Sequence, residues 1–230
     1  MLPIEKSDDD RMLKGYVGIR IEDISFRYNA GEREIYSHFS YDFKPGSKTA
    51  ILGETGTGKS TLVKLMLALL YPMKGKLFIY NKMDCFPISP QTRRNLAYVP
   101  QGNSLLSGTI RSNLLIANAE ATEEQMWFAL HIAAADFVRE LPKGLDSRCG
   151  EWGDGLSEGQ AQRIAIARGL LRSGSILLLD EFSASLDSDT ERVLVDRLMN
   201  NAKEKTMIFI THRELILQYC DDVITLKKKN

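Results

Sequence analysis

Hydrophobic and polar residues alternate in the first part of the chain with the period of two that is typical of β-strands. Val17, Ile19 and Ile21 alternate with small or polar residues, which predicts a strand with one buried face. A second alternation over residues 39–43 ends at a Pro-Gly pair, which is typical of a turn. With the short apolar stretch Lys48–Leu52, these segments predict a small antiparallel sheet that leads into a central strand.

The remainder of the chain alternates between strand and helix patterns. Helix formers run through Ser60–Leu70 and stop at Pro72, which predicts a helix over that range. Capping boxes that begin at Thr122, Ser157 and Ser188 predict the starts of three more helices. Further strands are predicted at Lys76–Tyr80, Leu96–Pro100, Ile176–Leu179, Met207–Ile210 and Asp222–Leu226. This order predicts an α/β fold with a mostly parallel sheet, in which the uninterrupted apolar strands are buried on both faces.

Composition and charge narrow the class of protein. The 230 residues carry 30 Lys and Arg against 30 Asp and Glu, so no net charge is available to hold nucleic acid. The longest apolar stretch, Leu62–Leu70, is too short to cross a bilayer, and the N-terminus has no signal-peptide core. Cys85, Cys149 and Cys220 fit neither a disulfide framework nor a metal site. We therefore expect a soluble intracellular domain at residues 16–230, preceded by a linker or tail at residues 1–15.

A glycine-rich loop is the first motif that indicates a chemical function. Residues 53–60 read G-E-T-G-T-G-K-S, which matches the phosphate-binding loop of nucleotide-hydrolysing proteins. Its glycines let backbone N–H groups surround the phosphates, Lys59 reaches the β- and γ-phosphates, and the Ser60 hydroxyl binds Mg²⁺. The predicted nucleotide contacts here are Gly53, Glu54, Thr55, Gly56, Thr57, Gly58, Lys59, Ser60 and Thr61.

A carboxylate for the metal follows the buried strand Ile176–Leu179. Asp180 stands at the carboxyl end of that strand, where open α/β sheets bind ligands, and we expect it to hold Mg²⁺. Glu181 follows directly and can activate a water molecule for attack. Any buried strand that ends in an acidic turn produces this pattern, so its functional interpretation depends on the phosphate loop.

A third motif selects the family. The segment L-S-E-G-Q at residues 156–160, taken with Gln101, the Asp-Glu pair at 180–181, Asp187 and His212, resembles the ATP-binding cassette family, the nucleotide-binding domains of ABC transporters. The resemblance extends from about residue 17 to residue 226. It implies a P-loop core with a mostly parallel sheet, an N-terminal antiparallel β-subdomain and an inserted helical subdomain at about residues 102–172.

The resemblance also implies roles for individual residues. Tyr28 is similar to the aromatic residue that stacks on adenine, and Gln101 to the glutamine that contacts Mg²⁺ and the attacking water. Glu181 resembles the catalytic glutamate, and Asp187 ends a loop at the dimer interface. His212 resembles the histidine that touches the γ-phosphate. The implied catalytic set is therefore Glu181, His212, Gln101 and Lys59, and the implied metal ligands are Ser60, Gln101 and Asp180.

The L-S-E-G-Q segment implies a second subunit. Ser157 as N-cap places a helix N-terminus and the Gly159 amide where a phosphate can bind. In the family that phosphate belongs to ATP on the other subunit, so Ser157, Gly159, Gln160 and Asp187 are expected to complete a partner's site. Glu158 replaces the usual glycine, and we expect its side chain to point away from the anion.

Two segments resemble exporter-type cassettes. These are residues 105–114, after Gln101, and residues 150–155, in which Glu151 is the candidate for contact with a transmembrane domain. The resemblance implies an ATPase at the cytoplasmic face of a membrane, with the transmembrane domain on the same native polypeptide. Two alternatives remain: a cassette ATPase without transport, usually marked by two cassettes or a coiled-coil insertion, and a module that binds ATP without hydrolysing it. An ATPase assay separates the last from the others.

Overall fold

The computed structural model describes residues 11–149 and 155–228. Its strands are β1 (Gly18–Phe26), β2 (Tyr36–Phe43), β3 (Lys48–Leu52), β4 (Lys74–Tyr80), β5 (Cys85–Pro87), β6 (Leu96–Val99), β7 (Gly108–Thr109), β8 (Arg148–Cys149), β9 (Ile176–Asp180), β10 (Thr206–Ile210) and β11 (Asp222–Thr225). Its α-helices are α1 (Lys59–Met66), α2 (Ile110–Leu115), α3 (Glu123–Ile132), α4 (Glu158–Leu171), α5 (Ser188–Asn201) and α6 (Glu214–Leu217). Short 3₁₀ helices lie at Pro90–Asn95, Asp136–Glu140 and Gly144–Asp146.

Two sheets form the framework. Strands β2, β1, β4 and β5 make an antiparallel sheet in that order. The alternating pattern predicts an antiparallel sheet from β1 and β2, and the structure adds β4 and β5 to it. Strands β11, β3, β10, β9 and β6 make a parallel sheet. The four apolar residues of Ile176–Leu179 in β9 have no exposed surface, which confirms that this strand is buried on both faces. The predicted α/β class is therefore confirmed.

The parallel sheet aligns the segments that carry the chemistry. Strand β10 pairs with β3 on one side and β9 on the other, with Ile210 opposite Ile51 and Asp180. The carboxyl ends of these three strands consequently lie side by side, and the loops that follow them meet at one edge. This edge receives the phosphate loop, the Asp-Glu pair and His212.

Helices α2 and α3 form a separate cover over α4. Ile110, Leu114, Leu130 and Val138 are buried in one apolar cluster with Ile164 of α4. The described part of the chain thus contains helices between β6 and β9 that match the expected inserted helical subdomain. Among residues 11–149 and 155–228, no helix combines the length and apolar character required to cross a bilayer.

Two predicted helix boundaries are wrong. Helix α1 ends at Met66, rather than near Leu70, because Ala68 takes a left-handed φ of 51° and reverses the chain. The Arg93 guanidinium donates hydrogen bonds to the carbonyls of Leu67 (2.6 Å) and Ala68 (2.7 Å), which satisfies groups that a helix end leaves unpaired. Pro72 is therefore not what stops the helix.

The second correction concerns α5. Its N-cap is Asp187 and not Ser188: the Asp187 carboxylate accepts the Thr190 N–H at 2.9 Å and the Thr190 hydroxyl at 2.8 Å. These two hydrogen bonds lower the pKa of Asp187 below its usual range. An ionised carboxylate at a helix N-terminus also interacts favourably with the helix dipole, so Asp187 is a better cap than the following serine.

The predicted boundary at residue 15 falls in a segment that is partly packed on the domain. Leu13 is buried, and its N–H donates to Asn95 Oδ1 at 2.7 Å. Residues 1–10 lie outside the described residues. The assignment of residues 1–15 to a linker stays a prediction.

Candidate functional site

The phosphate loop depends on glycine at two positions. Gly53 has a φ of 150°, and a Cβ there would lie 2.6 Å from Thr57 Oγ1 and 2.7 Å from the Leu226 carbonyl oxygen. Gly58 has a φ of 103°, and a Cβ there would lie 2.6 Å from Ile35 Cγ2. Thr57 closes the turn through its hydroxyl, which donates to the Glu54 carbonyl at 2.9 Å. Larger residues at Gly53 or Gly58 would therefore displace the loop.

The loop ends at the N-terminus of α1. Gly58 is the N-cap, and no side chain of the described residues caps this helix end. Its first N–H groups and the helix dipole can therefore serve an anion. The Lys59 ammonium folds back over the loop and donates to the carbonyls of Gly53 and Glu54, the latter at 3.0 Å.

Most of the predicted site residues converge on one open cleft of about 500 Å³ beside this loop. The cleft is lined by Tyr28, Ile35, Thr55, Gly56, Gly58, Lys59, Ser60, Thr61, Gln101, Asp180, Glu181 and His212. Gly53, Glu54 and Thr57 line an adjoining cavity that also reaches His212. The residues predicted from four separate motifs are thus brought together, and Ile35 is a lining residue that the motifs did not include.

An acidic group stands opposite the lysine. Burial raises the pKa of Asp180, while a hydrogen bond from the Tyr98 hydroxyl to Asp180 Oδ2 (3.2 Å) and the positive charge of Lys59 act to lower it. A carboxylate that has lost water gains most from a nearby cation. Ser60 and Gln101 add a hydroxyl and an amide oxygen to the same cleft, so its donors are the hard oxygen atoms that Mg²⁺ prefers.

Glu181 has an unusual backbone conformation. Its φ is 44°, in the left-handed region that costs a residue with a side chain about 1–2 kcal/mol. Its N–H donates to the Ile210 carbonyl at 2.9 Å, which ties the end of β9 to the end of β10. The Glu181 carboxylate lies 3.7 Å from His212 Nε2, with side chains that are 21% and 56% exposed. Both groups therefore face the cleft and can reach a bound ligand.

Tyr28 stands at the opposite end of the cleft. Its ring packs edge-on against Phe26, with centroids 5.2 Å apart and planes at 83°. Its hydroxyl lies 3.2 Å from Thr61 Oγ1, and 47% of the residue surface remains exposed. One ring face is consequently available for a planar group.

Three supporting residues were missed by the sequence analysis. Tyr36 donates its hydroxyl hydrogen to the Gly58 carbonyl at 2.9 Å, and Tyr98 donates to Asp180 as described. Gln162 of α4 is buried and donates its amide to the Pro100 carbonyl at 3.1 Å, next to Gln101. Tyr98 lies on a predicted strand and Tyr36 lies just before the predicted alternation at residues 39–43, but nothing in a strand pattern shows which loop a side chain will reach.

The L-S-E-G-Q segment lies outside this cleft. Ser157 caps α4: its Oγ accepts the Gln160 N–H at 3.2 Å, and Gln160 Oε1 accepts the Ser157 N–H at 2.9 Å. A Cβ on Gly159 would lie 3.0 Å from the Ser185 carbonyl oxygen, so the helix start packs closely on the loop that leads to Asp187. Glu158 is exposed, as expected. Ser157, Gly159, Gln160 and Asp187 do not contribute to the cleft of their own chain.

The exporter-like segments are only partly described. Residues 105–114 form the approach to α2, in which Thr109 caps the helix by accepting the Ser112 N–H. Glu151, the candidate for contact with a transmembrane domain, lies outside the described residues. Among the described residues, no group of three or more His, Cys, Asp or Glu side chains could hold a metal ion, and Cys85, Cys149 and Cys220 are free.

Comparison with known proteins agrees with the resemblance found in the motifs. A family model described as ABC transporter matches residues 36–184. The chain is 36% identical over 216 residues to a probable ABC transporter ATP-binding/permease protein of Haemophilus influenzae, covering 94% of this chain and 39% of that protein. It is 35% identical over 213 residues to ATP-dependent lipid A-core flippase 2 of Colwellia psychrerythraea, covering 91% of this chain and 36% of the flippase.

A solved structure extends the comparison to the fold. A bacterial Atm1-family ABC exporter with ATP bound matches with a TM-score of 0.85 and 31% sequence identity, over 96% of this chain and 40% of that one. The chain therefore spans less than half the length of these relatives. The fold, the family model and the relatives agree with the resemblance found in the motifs, and we conclude that the chain belongs to the ABC transporter family.

Proposed function

We propose that this domain hydrolyses MgATP at a site shared with a second nucleotide-binding domain, and that the reaction drives an attached transmembrane domain. The observation that carries the proposal is a division of the predicted site. Lys59, Asp180, Glu181 and His212 line one cleft, whereas the capped start of α4 at Ser157 lies outside it. A site divided in this way is completed when two domains associate.

Nucleotide binding follows from the geometry of the phosphate loop. The open N-terminus of α1 and the Lys59 ammonium offer N–H donors and positive charge to the β- and γ-phosphates. Phosphate oxygens would replace the carbonyl oxygens of Gly53 and Glu54 that Lys59 contacts in this structure. Tyr28 is 47% exposed, and its free ring face would stack on the base.

The oxygen donors of the cleft fit Mg²⁺. Ser60, Gln101 and Asp180 would hold the ion, and the buried carboxylate of Asp180, with its raised pKa, would gain a cationic partner. The bound ion would neutralise part of the negative charge on the β- and γ-phosphates.

Glu181 and His212 would have different roles in hydrolysis. The Glu181 carboxylate accepts a proton from a water molecule as the water oxygen bonds to the γ-phosphorus and the bond to the ADP oxygen breaks. His212, 3.7 Å from that carboxylate, donates a hydrogen bond to the γ-phosphate. The Tyr98 hydroxyl and the Glu181 N–H bond to Ile210 hold the two acidic residues in place.

Two partners are proposed, a second nucleotide-binding domain and a transmembrane domain, and they are supported by the family and by the greater length of the relatives. Ser157, Gly159, Gln160 and Asp187 would contact the nucleotide held by the second domain, which is a copy of this chain or a homologous cassette. The relatives include ATP-binding/permease proteins, and this chain covers 39% of one of them, so we propose a transmembrane domain as the other partner. The domain would then lie at the cytoplasmic face of a membrane, with no role for nucleic acid.

A mixing experiment tests the shared site. Lys59→Ala disables the phosphate loop, and Ser157→Arg disables the start of α4, so each variant alone should show no ATPase activity. In a mixed dimer, the loop of the Ser157→Arg chain meets the intact α4 of the Lys59→Ala chain and forms one complete site. In an equimolar mixture about half of the dimers are mixed, and each mixed dimer has one complete site of two. The mixture should therefore recover up to about a quarter of the wild-type rate. A mixture that stays inactive while the wild type is active would contradict the shared site.

A further inference from the structure

Arg213, which follows His212, makes contacts that the proposed mechanism does not use. Its guanidinium Nη2 donates to the carbonyls of Ala184 (3.1 Å) and Ser183 (3.4 Å), and its Nε lies 3.7 Å from Glu191 Oε1. The contacted carbonyls lie two and three residues after Glu181. Arg213 therefore bridges the loop after β10 and the loop after β9.

Glu191 completes the bridge from α5. It is 5% exposed, and the Ser183 hydroxyl donates to its Oε1 at 2.5 Å. A buried carboxylate is unfavourable unless it is paired and hydrogen-bonded, and Arg213 and Ser183 supply those partners. The Ser183 side chain is itself buried. Ser183 therefore anchors the loop after Glu181 through two groups: its hydroxyl binds Glu191 and its carbonyl binds Arg213.

The attached loop continues to the start of α4. The segment Ser183–Asp187 runs from this bridge to the N-cap of α5, and its Ser185 carbonyl lies where a Cβ on Gly159 would be only 3.0 Å away. One short segment thus contacts the His212 loop at one end and the helix start proposed to serve the partner's nucleotide at the other.

The conformation of Glu181 adds a reason for the bridge. Its φ of 44° persists only when the surrounding structure holds it. The Ala184 N–H donates to the Glu181 carbonyl at 3.2 Å, and Arg213 in turn holds the Ala184 carbonyl. The bridge therefore stabilises the turn that aims the Glu181 carboxylate.

We propose that Arg213 and Glu191 are positioning residues for hydrolysis: they hold the Ser183–Asp187 segment against the His212 loop, and so fix Glu181 relative to His212. This inference rests on the proposed function. Neither residue lines the cleft, so neither is expected to contribute to nucleotide affinity.

The test compares four variants of the full chain with the wild type. Arg213→Ala removes the bridge. Arg213→Lys keeps the charge but replaces the planar guanidinium, whose N–H donors form a rigid fork, with a compact ammonium group. Glu191→Gln keeps an acceptor for Ser183 but removes the charge that faces Arg213. Arg192→Ala is the matched control, because it deletes an exposed arginine next to Glu191 on the same helix. For each variant we would measure the ATP Kd, the kcat at saturating MgATP, and the thermal unfolding midpoint.

We expect Arg213→Ala to lower kcat about 10-fold or more, because small misplacements of catalytic groups carry costs of that size, while the Kd stays within about 2-fold. Arg213→Lys should recover part of the loss, Glu191→Gln should lower kcat about 3-fold or more in the same way, and Arg192→Ala should match the wild type. Should Arg213→Ala not fold, the Lys and Gln variants decide the matter.

Three results would overturn the inference: a kcat equal to that of the Arg192→Ala control, a loss of kcat matched by an equal loss of affinity, or no recovery with lysine. Inactivity of the wild type would instead contradict the proposed function.

Discussion

Replacing Tyr28 tests the base-binding end of the cleft. The ring has one free face and is supported from the side by Phe26, with ring centroids 5.2 Å apart. Removal of an aromatic platform of this kind costs about 1–3 kcal/mol of binding free energy. Tyr28→Ala should therefore raise the ATP Kd about 5- to 150-fold.

The conservative variant separates the ring from its hydroxyl. Tyr28→Phe keeps the ring and removes only the contact with Thr61 Oγ1 at 3.2 Å, which is worth about 1 kcal/mol or less at a half-exposed position. Its Kd should stay within about 5-fold of the wild type. Tyr71→Ala, which removes an exposed tyrosine outside the cleft, should have no effect.

Titration calorimetry with ATP and with GTP measures these differences directly. Because a ring face accepts any purine, the two nucleotides should bind with similar affinity, and both should lose affinity in Tyr28→Ala. An unchanged Kd in Tyr28→Ala would refute the assignment of this residue.

Further substitutions test the other parts of the site. Lys59→Ala should abolish hydrolysis and strongly weaken ATP binding in a calorimetric titration, because the cation that faces the phosphates is lost; retained affinity would contradict this. Ser157→Arg should leave ATP binding by the monomer nearly intact while blocking hydrolysis, and an equal loss of monomer binding would argue against a site shared between domains. Tyr98→Phe removes a hydrogen bond that lowers the pKa of Asp180, so that pKa should rise further. The acid limb of the rate-against-pH profile should then move to higher pH, and a limb that does not move would show that protonation of Asp180 does not control the rate.

The features that could be predicted from the sequence are those formed by residues close together in the chain. The phosphate loop is encoded by residues that are adjacent in the chain, since Gly53 and Gly58 must take positive φ values and Lys59 follows directly. The same holds for the start of α4, where the Ser157 and Gln160 side chains cap a helix three residues apart. Such short motifs can be interpreted from the sequence because the residues that interact all lie within the motif.

Contacts between distant segments could not be predicted in this way. Helix α1 ends early at the left-handed Ala68, where Arg93, 26 residues away in the chain, donates to the Leu67 carbonyl, and no local pattern shows that contact. Glu191 reads as one more polar residue in the first turn of α5, yet it is buried because the fold brings Arg213 and Ser183 to it. Supporting residues of a site are therefore harder to predict than the residues that touch the ligand.

The most direct test of the shared ATPase site is the oligomeric state of Glu181→Gln with MgATP. Glutamine keeps the shape and hydrogen-bonding reach of Glu181 but removes the basic oxygen, so ATP should bind through Lys59, Ser60 and Asp180 without being cleaved. In light scattering coupled to size exclusion, the variant should be a stable dimer with two bound ATP molecules, and it should dissociate when ATP is removed. The wild type should be a monomer or a transient dimer under the same conditions. A Glu181→Gln protein that remains monomeric with saturating MgATP, or that hydrolyses ATP at the wild-type rate, would contradict the account.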